Sequence, residues 1–311
     1  MKILYLTDIN YTGITAGFQM GPRPPMSWIS GLGSYHCSYS NIDNIPYNDF
    51  DIAILGCIHE NVDILNIDII NKVKRISKKL LFQHDSDHRY FYRNNNIPRS
   101  YMLNFIIVNV DGILTHNDLD KKYYENLYRK PCFHHKQLLL DIYDQLNLPE
   151  IKKDFVLGGI GDRYGALDGY MLLQDYPSES IYHFGNDDTG VPGLNSIHSD
   201  FDYIKFNQLL TKFKVAFNLT PLAIGGSFPL QCAMVKTPCI GWNNSNPHKE
   251  CFPDLVTDYG NFEGLRVILD KLINDIEFYN HVTNNARDIF IKNFSSITDY
   301  KENMIKIFNQ I

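Results

Sequence analysis

No two cysteines of this chain stand in a C-x-x-C arrangement, and the six present (Cys37, Cys57, Cys132, Cys232, Cys239, Cys251) follow no regular spacing. That argues against a disulfide framework and leaves a reduced, cytoplasmic protein with buried thiols as the expectation. No apolar run is long enough to cross a bilayer. The apolar opening, Ile3-Leu4-Tyr5-Leu6, gives way to Thr7 and Asp8, too soon for a signal-peptide core. Charge of one sign is also missing: 29 Lys and Arg against 35 Asp and Glu leave a net −6. Such a balance supplies no general drive toward nucleic acid or an anionic membrane. There is no internal repeat and no low-complexity segment. Asn218, Asn243 and Asn293 open glycosylation sequons, a pattern short enough to arise by chance.

What is present is apolar material in short, evenly distributed runs. With 311 residues and 44% hydrophobic content, the chain can bury two cores of ordinary size. Residues 2–7, 51–57, 79–83 and 105–108 read as strands of a first half, with 34–40 and 112–115 as further ones. Residues 67–76 and 118–127 carry helical spacing. After Pro149 a second series begins, with strands at 155–157, 180–184, 215–219 and 239–242 and a helix around 166–174. Three helices close the pattern, at 262–275, 276–293 and 297–311, and 185–200 reads as a long surface loop. Continuous apolar strands separated by helices argue parallel sheets covered on both faces. The expected fold class is therefore α/β, with two Rossmann-like domains facing a cleft and a hinge within 136–153.

The most informative stretch is 214–240, KVAFNLTPLAIGGSFPLQCAMVKTPCI. It reads as a buried strand, a turn holding Gly225 and Gly226, a helix over about 228–235, and a new strand behind Thr237-Pro238. Backbone N–H groups and a helix dipole at the carboxyl end of a parallel strand suit a diphosphate. One more ordinary strand-turn-helix of an α/β sheet would read the same way.

The stretch resembles the donor-binding segment of GT-B glycosyltransferases. In that family a strand ends in a Pro/Ser turn, and a Glu, seven residues and a second Glu follow. Laid without gaps, Thr220 falls on the turn Ser, Gly226 on the loop Gly and Pro238 on the Pro before the last strand. The two glutamates fall on Ala223 and Gln231. An amide at Gln231 can still bond a ribose diol, while Ala223 supplies no charge, which weakens the expectation of retaining chemistry. The likeness is clearest over 155–290 and only architectural over 1–135. It implies domains at 1–140 and 150–288, with 289–311 crossing back onto the first.

A second loop, Gly158-Gly159-Ile160-Gly161-Asp162-Arg163, follows the first strand of the second half. Glycines let a backbone approach a ligand, and the guanidinium of Arg163 can grip phosphate with a planar fork of donors. The same loop of GT-B enzymes carries a basic residue that meets the donor diphosphate. A dinucleotide fingerprint is not met, because Tyr164 stands where its third glycine belongs. The resemblance thus implies a donor site of Gly159, Gly161, Arg163, Thr220, Gly225, Gly226, Ser227 and Gln231.

In the first half, Phe82-Gln83-His84-Asp85-Ser86-Asp87-His88 follows a buried strand, at an edge that meets the cleft. Asp85, Asp87 and His88 are the catalytic candidates, since an inverting transfer needs a base on the acceptor hydroxyl. His59 and His84 stand behind them. An Asp-x-Asp with flanking His could equally hold a metal, and could also be a polar turn. His134 and His135, adjacent on a strand, point to opposite faces and make no metal site by themselves. Lys72, Lys74, Arg75, Lys78 and Lys79 form a basic run beside inward-facing Ile69, Ile70, Val73 and Ile76, most simply a solvated face. Docking to an anionic membrane or a phosphate backbone is the sharper alternative.

The resemblance accordingly implies a glycosyltransferase, metal-independent, needing no cofactor beyond a nucleotide-sugar co-substrate, UDP-sugar favoured. The acceptor expected first is a surface glycan or lipid-linked precursor, with peripheral membrane contact. DNA bases of the phage type come second, and an inactive nucleotide-sugar-binding paralogue is the remaining alternative.

Overall fold

A computed structural model describes residues 1–8, 29, 31–46, 49–57, 65–84, 97–158, 165–184, 194–197, 203–222 and 226–311. The first sheet comprises β1 (Ile3–Thr7), β2 (Tyr35–Ser38), β3 (Phe50–Cys57), β4 (Ser77–His84), β5 (Gly112–Thr115) and β6 (Cys132–His134). Their order is β2-β1-β3-β4-β5-β6, and every pair is parallel. Helices α1 (Ile67–Ile76), α2 (Ile97–Asn109) and α3 (Asp118–Tyr128) connect these strands. In α1 the Asn66 side chain accepts from Ile69 N–H at 3.0 Å, and Ile70 and Val73 are buried. Lys74 and Arg75 face outward in its last turn.

Residues 105–108 are not a strand. They belong to α2, whose buried residues Leu103 and Ile106, with Ile107 and with Val110 just beyond the helix, stand at i, i+3, i+4 and i+7. A run of four apolar residues satisfies both periods, and the helical one prevails because Val108 can face outward at 58% exposure. The expected strand over 34–40 is shorter, giving way at Tyr39 to a 3-10 turn through Asn44.

The second sheet comprises β7 (Lys153–Leu157), β8 (Ile181–Phe184), β9 (Asn195–Ile197), β10 (Phe213–Asn218), β11 (Cys239–Trp242) and β12 (Val256–Thr257). It is parallel throughout. Its order, β12-β11-β10-β7-β8-β9, is the 3-2-1-4-5-6 arrangement of dinucleotide-binding sheets, with the reversal between β7 and β10. The edge strand β9 lies inside the stretch expected to be loop only. Around the sheet run α4 (Ala166–Leu172), α5 (Tyr203–Leu210), α6 (Ser227–Met234), α7 (Asn246–Cys251), α8 (Phe262–Asn274) and α9 (Ile276–Phe294).

The alternation of side chains along a strand distributes the first half over two cores. Leu4, Leu6, Ala53, Leu55, Leu80 and Phe82 pack with α1 and α2 on one face. Ile3, Tyr5, Ile52, Ile54 and Leu81 form the other, where α10 (Ile297–Phe308) inserts Tyr300, Met304 and Phe308. The last helix therefore covers the first sheet, while α9 packs in the core of the second. Polar contacts tie the connecting segment to the second half as well. Arg287 donates to Asp141 Oδ2 at 2.7 Å, Leu139 N–H to the Phe294 carbonyl at 2.8 Å, and Lys136 Nζ to Glu250 at 2.7 Å.

Candidate functional site

Open α/β sheets bind ligands beyond the carboxyl ends of their strands, where the strand order reverses. In the second sheet that point lies between β7 and β10. Gly158 follows β7, and its N–H donates to the Phe217 carbonyl of β10 at 2.7 Å. Gly165, at φ +63°, opens α4 so close to β10 that an added Cβ would lie 2.2 Å from the Leu219 carbonyl. Gly158 and Gly165, which flank the β7–α4 connection, therefore both lie against the end of β10.

Thr220, fully buried, follows β10. Its Oγ1 accepts from Leu222 N–H at 3.3 Å, and its carbonyl from Asn244 Nδ2 at 2.9 Å. Gly226 takes a left-handed conformation (φ +74°) as the residue that opens α6, so the helix has no side-chain cap. Ser227 is the first residue of α6 and half-buried. Gln231, one turn on, is 2% exposed, and its Nε2 has no hydrogen-bond partner among the described residues. The structure thus brings Thr220, Gly226, Ser227 and Gln231 to the end of β10 and the first two turns of α6. Gly159, Gly161, Arg163 and Gly225 lie outside the described residues, as does Ala223.

The far end of α6 is held too. Lys152 Nζ donates to the carbonyls of Val235 and Lys236, at 3.1 and 2.7 Å, and to Thr237 Oγ1 at 2.9 Å. Burial pushes its pKa down to about 8. On the next strand, Trp242 Nε1 donates to the Leu219 carbonyl at 3.0 Å. His248 in α7 donates from Nε2 to the Cys239 carbonyl at 2.8 Å, and burial lowers its pKa to about 4. Lys152 thus braces the turn after α6, Trp242 ties β11 to the end of β10, and His248 ties α7 to the start of β11. None was visible from the sequence, because each acts through a partner distant along the chain.

On the first sheet, Asp85, Asp87 and His88 lie outside the described residues, as do His59 and Glu60. His84, immediately before them, ends β4 and is 1% exposed. The Tyr124 hydroxyl of α3 meets its Nδ1 at 2.9 Å, and Asp120 stands 4.0 Å from the same nitrogen. Burial, with Asp120 nearby, raises the Tyr124 pKa well above the ordinary phenol range. Asn117 braces Asp120, donating to its carboxylate at 2.8 Å and accepting from its N–H at 2.7 Å.

Along the same edge, Gln83 meets His116 Nε2 at 3.2 Å, and the His116 and His135 rings lie 4.1 Å apart. His134 reaches the His116 carbonyl at 3.1 Å and stands 3.6 Å from Asp118. Burial and the neighbouring imidazoles hold the His135 pKa well below its ordinary value. The carboxyl edge of β4, β5 and β6 thus carries histidines, neutral in the case of His135 at physiological pH. His116 and Asn117 escaped the sequence reading. Their position one and two residues past an expected strand was the available signal. Asn246 of α7 faces this edge and donates to Asp118 Oδ2 at 2.6 Å, bridging the two halves.

Two parallel Rossmann-like sheets, with α10 returning to the first, are the GT-B architecture. Neither a family model nor a characterised protein sequence matches the chain. Solved structures do. The sucrose-phosphate synthase of Thermosynechococcus elongatus superposes with a TM-score of 0.67 at 11% identity, over 100% of this chain and 99% of that one. An α-glucosyltransferase solved with UDP and a 13-mer DNA gives 0.65 at 11% identity, covering 99% of both chains. TarM gives 0.61 at 12% identity over 83% of this chain, which spans about half (54%) of TarM. At such identities the likeness is one of fold.

Proposed function

We propose that the protein transfers a sugar from a nucleoside-diphosphate sugar to a hydroxyl acceptor. The observation that carries this reading is α6. It starts on a left-handed glycine at the strand-order reversal of the second sheet, with no side chain capping it. Uncapped N–H groups there suit a diphosphate leaving group. UDP-sugar is the favoured donor, bound by Gly159, Gly161, Arg163, Thr220, Gly225, Gly226, Ser227 and Gln231. Domains at 1–140 and 150–288, with 289–311 returning to the first, complete the reading.

In the reaction the acceptor oxygen attacks the anomeric carbon, the bond to the diphosphate breaks, and a base takes the hydroxyl proton. Asp85 or Asp87, with His88 beside them, are assigned that base, and inversion is the expected outcome. An ionised Asp accepts a proton at neutral pH without special tuning. Arg163 and the N-terminus of α6 carry the diphosphate charge, so no divalent metal is required. Replacing the true base by Asn should cut turnover by roughly two to four orders of magnitude with donor affinity unchanged. Full turnover in both Asp85→Asn and Asp87→Asn would remove the assignment. Titration calorimetry with uridine, guanosine and cytidine diphosphates tests the donor, and heat from none of them would sink the function.

The acceptor favoured first is a surface glycan or lipid-linked precursor, met at the cytoplasmic membrane face. Cys37, Cys132, Cys232, Cys239 and Cys251 are buried free thiols, in keeping with a reducing compartment. A DNA acceptor is the second reading, favoured by the end-to-end match with the α-glucosyltransferase solved on DNA. A gel shift with duplex DNA at low salt separates the two, since tight salt-sensitive binding would reverse their order.

A further inference from the structure

Ser245 occupies the position that caps α7, and a serine there ordinarily accepts a bond from an N–H of its own helix. Its side chain makes no such bond. The hydroxyl is turned instead toward Gly226 at the start of α6, where an added Cβ would lie 2.7 Å from Ser245 Oγ. Ser245 is fully buried, and its Oγ has no hydrogen-bond partner among the described residues. A buried hydroxyl without a partner is unfavourable, and giving up a capping bond to create one is doubly so. Both are explained if a ligand supplies the partner.

The surroundings say what kind of ligand. α6 is eight residues long, no side chain caps it, and Pro229 in its first turn has no N–H to offer. Its remaining N–H groups and the Ser245 O–H are all donors, and they sit at the positive end of a helix dipole. A group that accepts several hydrogen bonds and carries negative charge fits them. The Ser245 loop is also rigidly held. Trp242 Nε1 bonds the Leu219 carbonyl at 3.0 Å, and Asn244 Nδ2 the Thr220 carbonyl at 2.9 Å. The hydroxyl is therefore placed before any ligand arrives.

We propose that Ser245 binds the donor diphosphate, its Oγ–H donating to an anionic phosphate oxygen held at the first turn of α6. The proposal rests on the nucleotide-sugar reading above and adds to it a residue from the β11–α7 loop. It also makes an unusual demand, because ligand affinity and ligand-free stability should respond to the same substitution in opposite senses. In Ser245→Ala the Kd for UDP should rise about tenfold or more, the worth of a hydrogen bond to a charged group. The ligand-free melting temperature should stay level or rise, because an unpartnered buried hydroxyl has been removed. Affinity for uridine, which has no phosphate, should not change.

Titration calorimetry with UDP and uridine, alongside thermal melts of the free protein, reads all three. Ser245→Cys keeps nearly the same volume with a much weaker donor, and should match Ser245→Ala in weakened UDP binding. Wild-type affinity for UDP in Ser245→Ala would overturn the proposal and leave the function standing. A lowered melting temperature with parallel loss for UDP and uridine, both restored in Ser245→Cys, would make Ser245 a packing residue and also overturn it. If the wild-type protein binds no nucleoside diphosphate, the function falls and Ser245 falls with it.

Discussion

Arg129 shows how one backbone angle can outweigh a side chain. It closes α3 in a left-handed conformation, φ +53°, with its N–H bonded to the Glu125 carbonyl and its side chain exposed. An L-residue is strained there and glycine is not. Arg129→Gly should raise stability by roughly 0.5–1 kcal/mol in thermal or denaturant unfolding. Lys236 has the same conformation (φ +54°), but its ammonium meets Asn284 at 2.9 Å and its carbonyl accepts from Lys152. The relief is offset there, and a net gain is not expected. His248 sets a pH dependence. Its folded pKa, about 4, lies below the ordinary 6.5, so the fold disfavours its protonated form. The stability it contributes is complete above pH 6.5 and is lost as pH falls toward 4, by roughly 3 kcal/mol in all. His248→Gln should flatten the acid limb of a stability–pH profile over that window, and an unchanged limb would remove His248 from the account.

At the scale of elements, α6 opens on the left-handed Gly226 and is held behind by Lys152. Lys152→Met would leave two carbonyls and a threonine hydroxyl without their shared donor. A loss of roughly 2 kcal/mol is expected in urea unfolding. Nucleotide affinity should fall with it, because a frayed α6 presents its N-terminus less well. The elements also show what the sequence could carry. The strand over 213–218 and the helix over 227–234 that Gly226 opens were legible, since a buried strand and a glycine ahead of a helix are local signals. The α2 run Phe105-Ile106-Ile107-Val108 was not, because four apolar residues fit either period and only packing decides. Ser245 and Trp242 were invisible for another reason. Their significance lies in which way a side chain turns, and that is settled by β10 and α6 pressing on the β11–α7 loop.

Over the whole molecule, the two halves are tied by the return of α10 onto the first sheet. Met304, 1% exposed, sits in a core with Ile3, Tyr5, Ile52 and Ile54. Met304→Ala should cost about 2–5 kcal/mol. Because the cavity opens in the first half, denaturation followed separately in each half should show the first losing structure at lower denaturant. Coincident transitions shifted equally would mean the halves unfold as one unit. The same helix constrains synthesis. Strands β1 to β6 leave the ribosome early, yet the core on one face of their sheet, which also holds Leu32 and Leu138, stays incomplete until Tyr300, Met304 and Phe308 have been made. The second half, whose core draws on residues from Leu139 to Phe294, can close before then. The half translated first is thus the half completed last. It must wait with one of its two cores unfinished, the kind of intermediate that chaperones shelter.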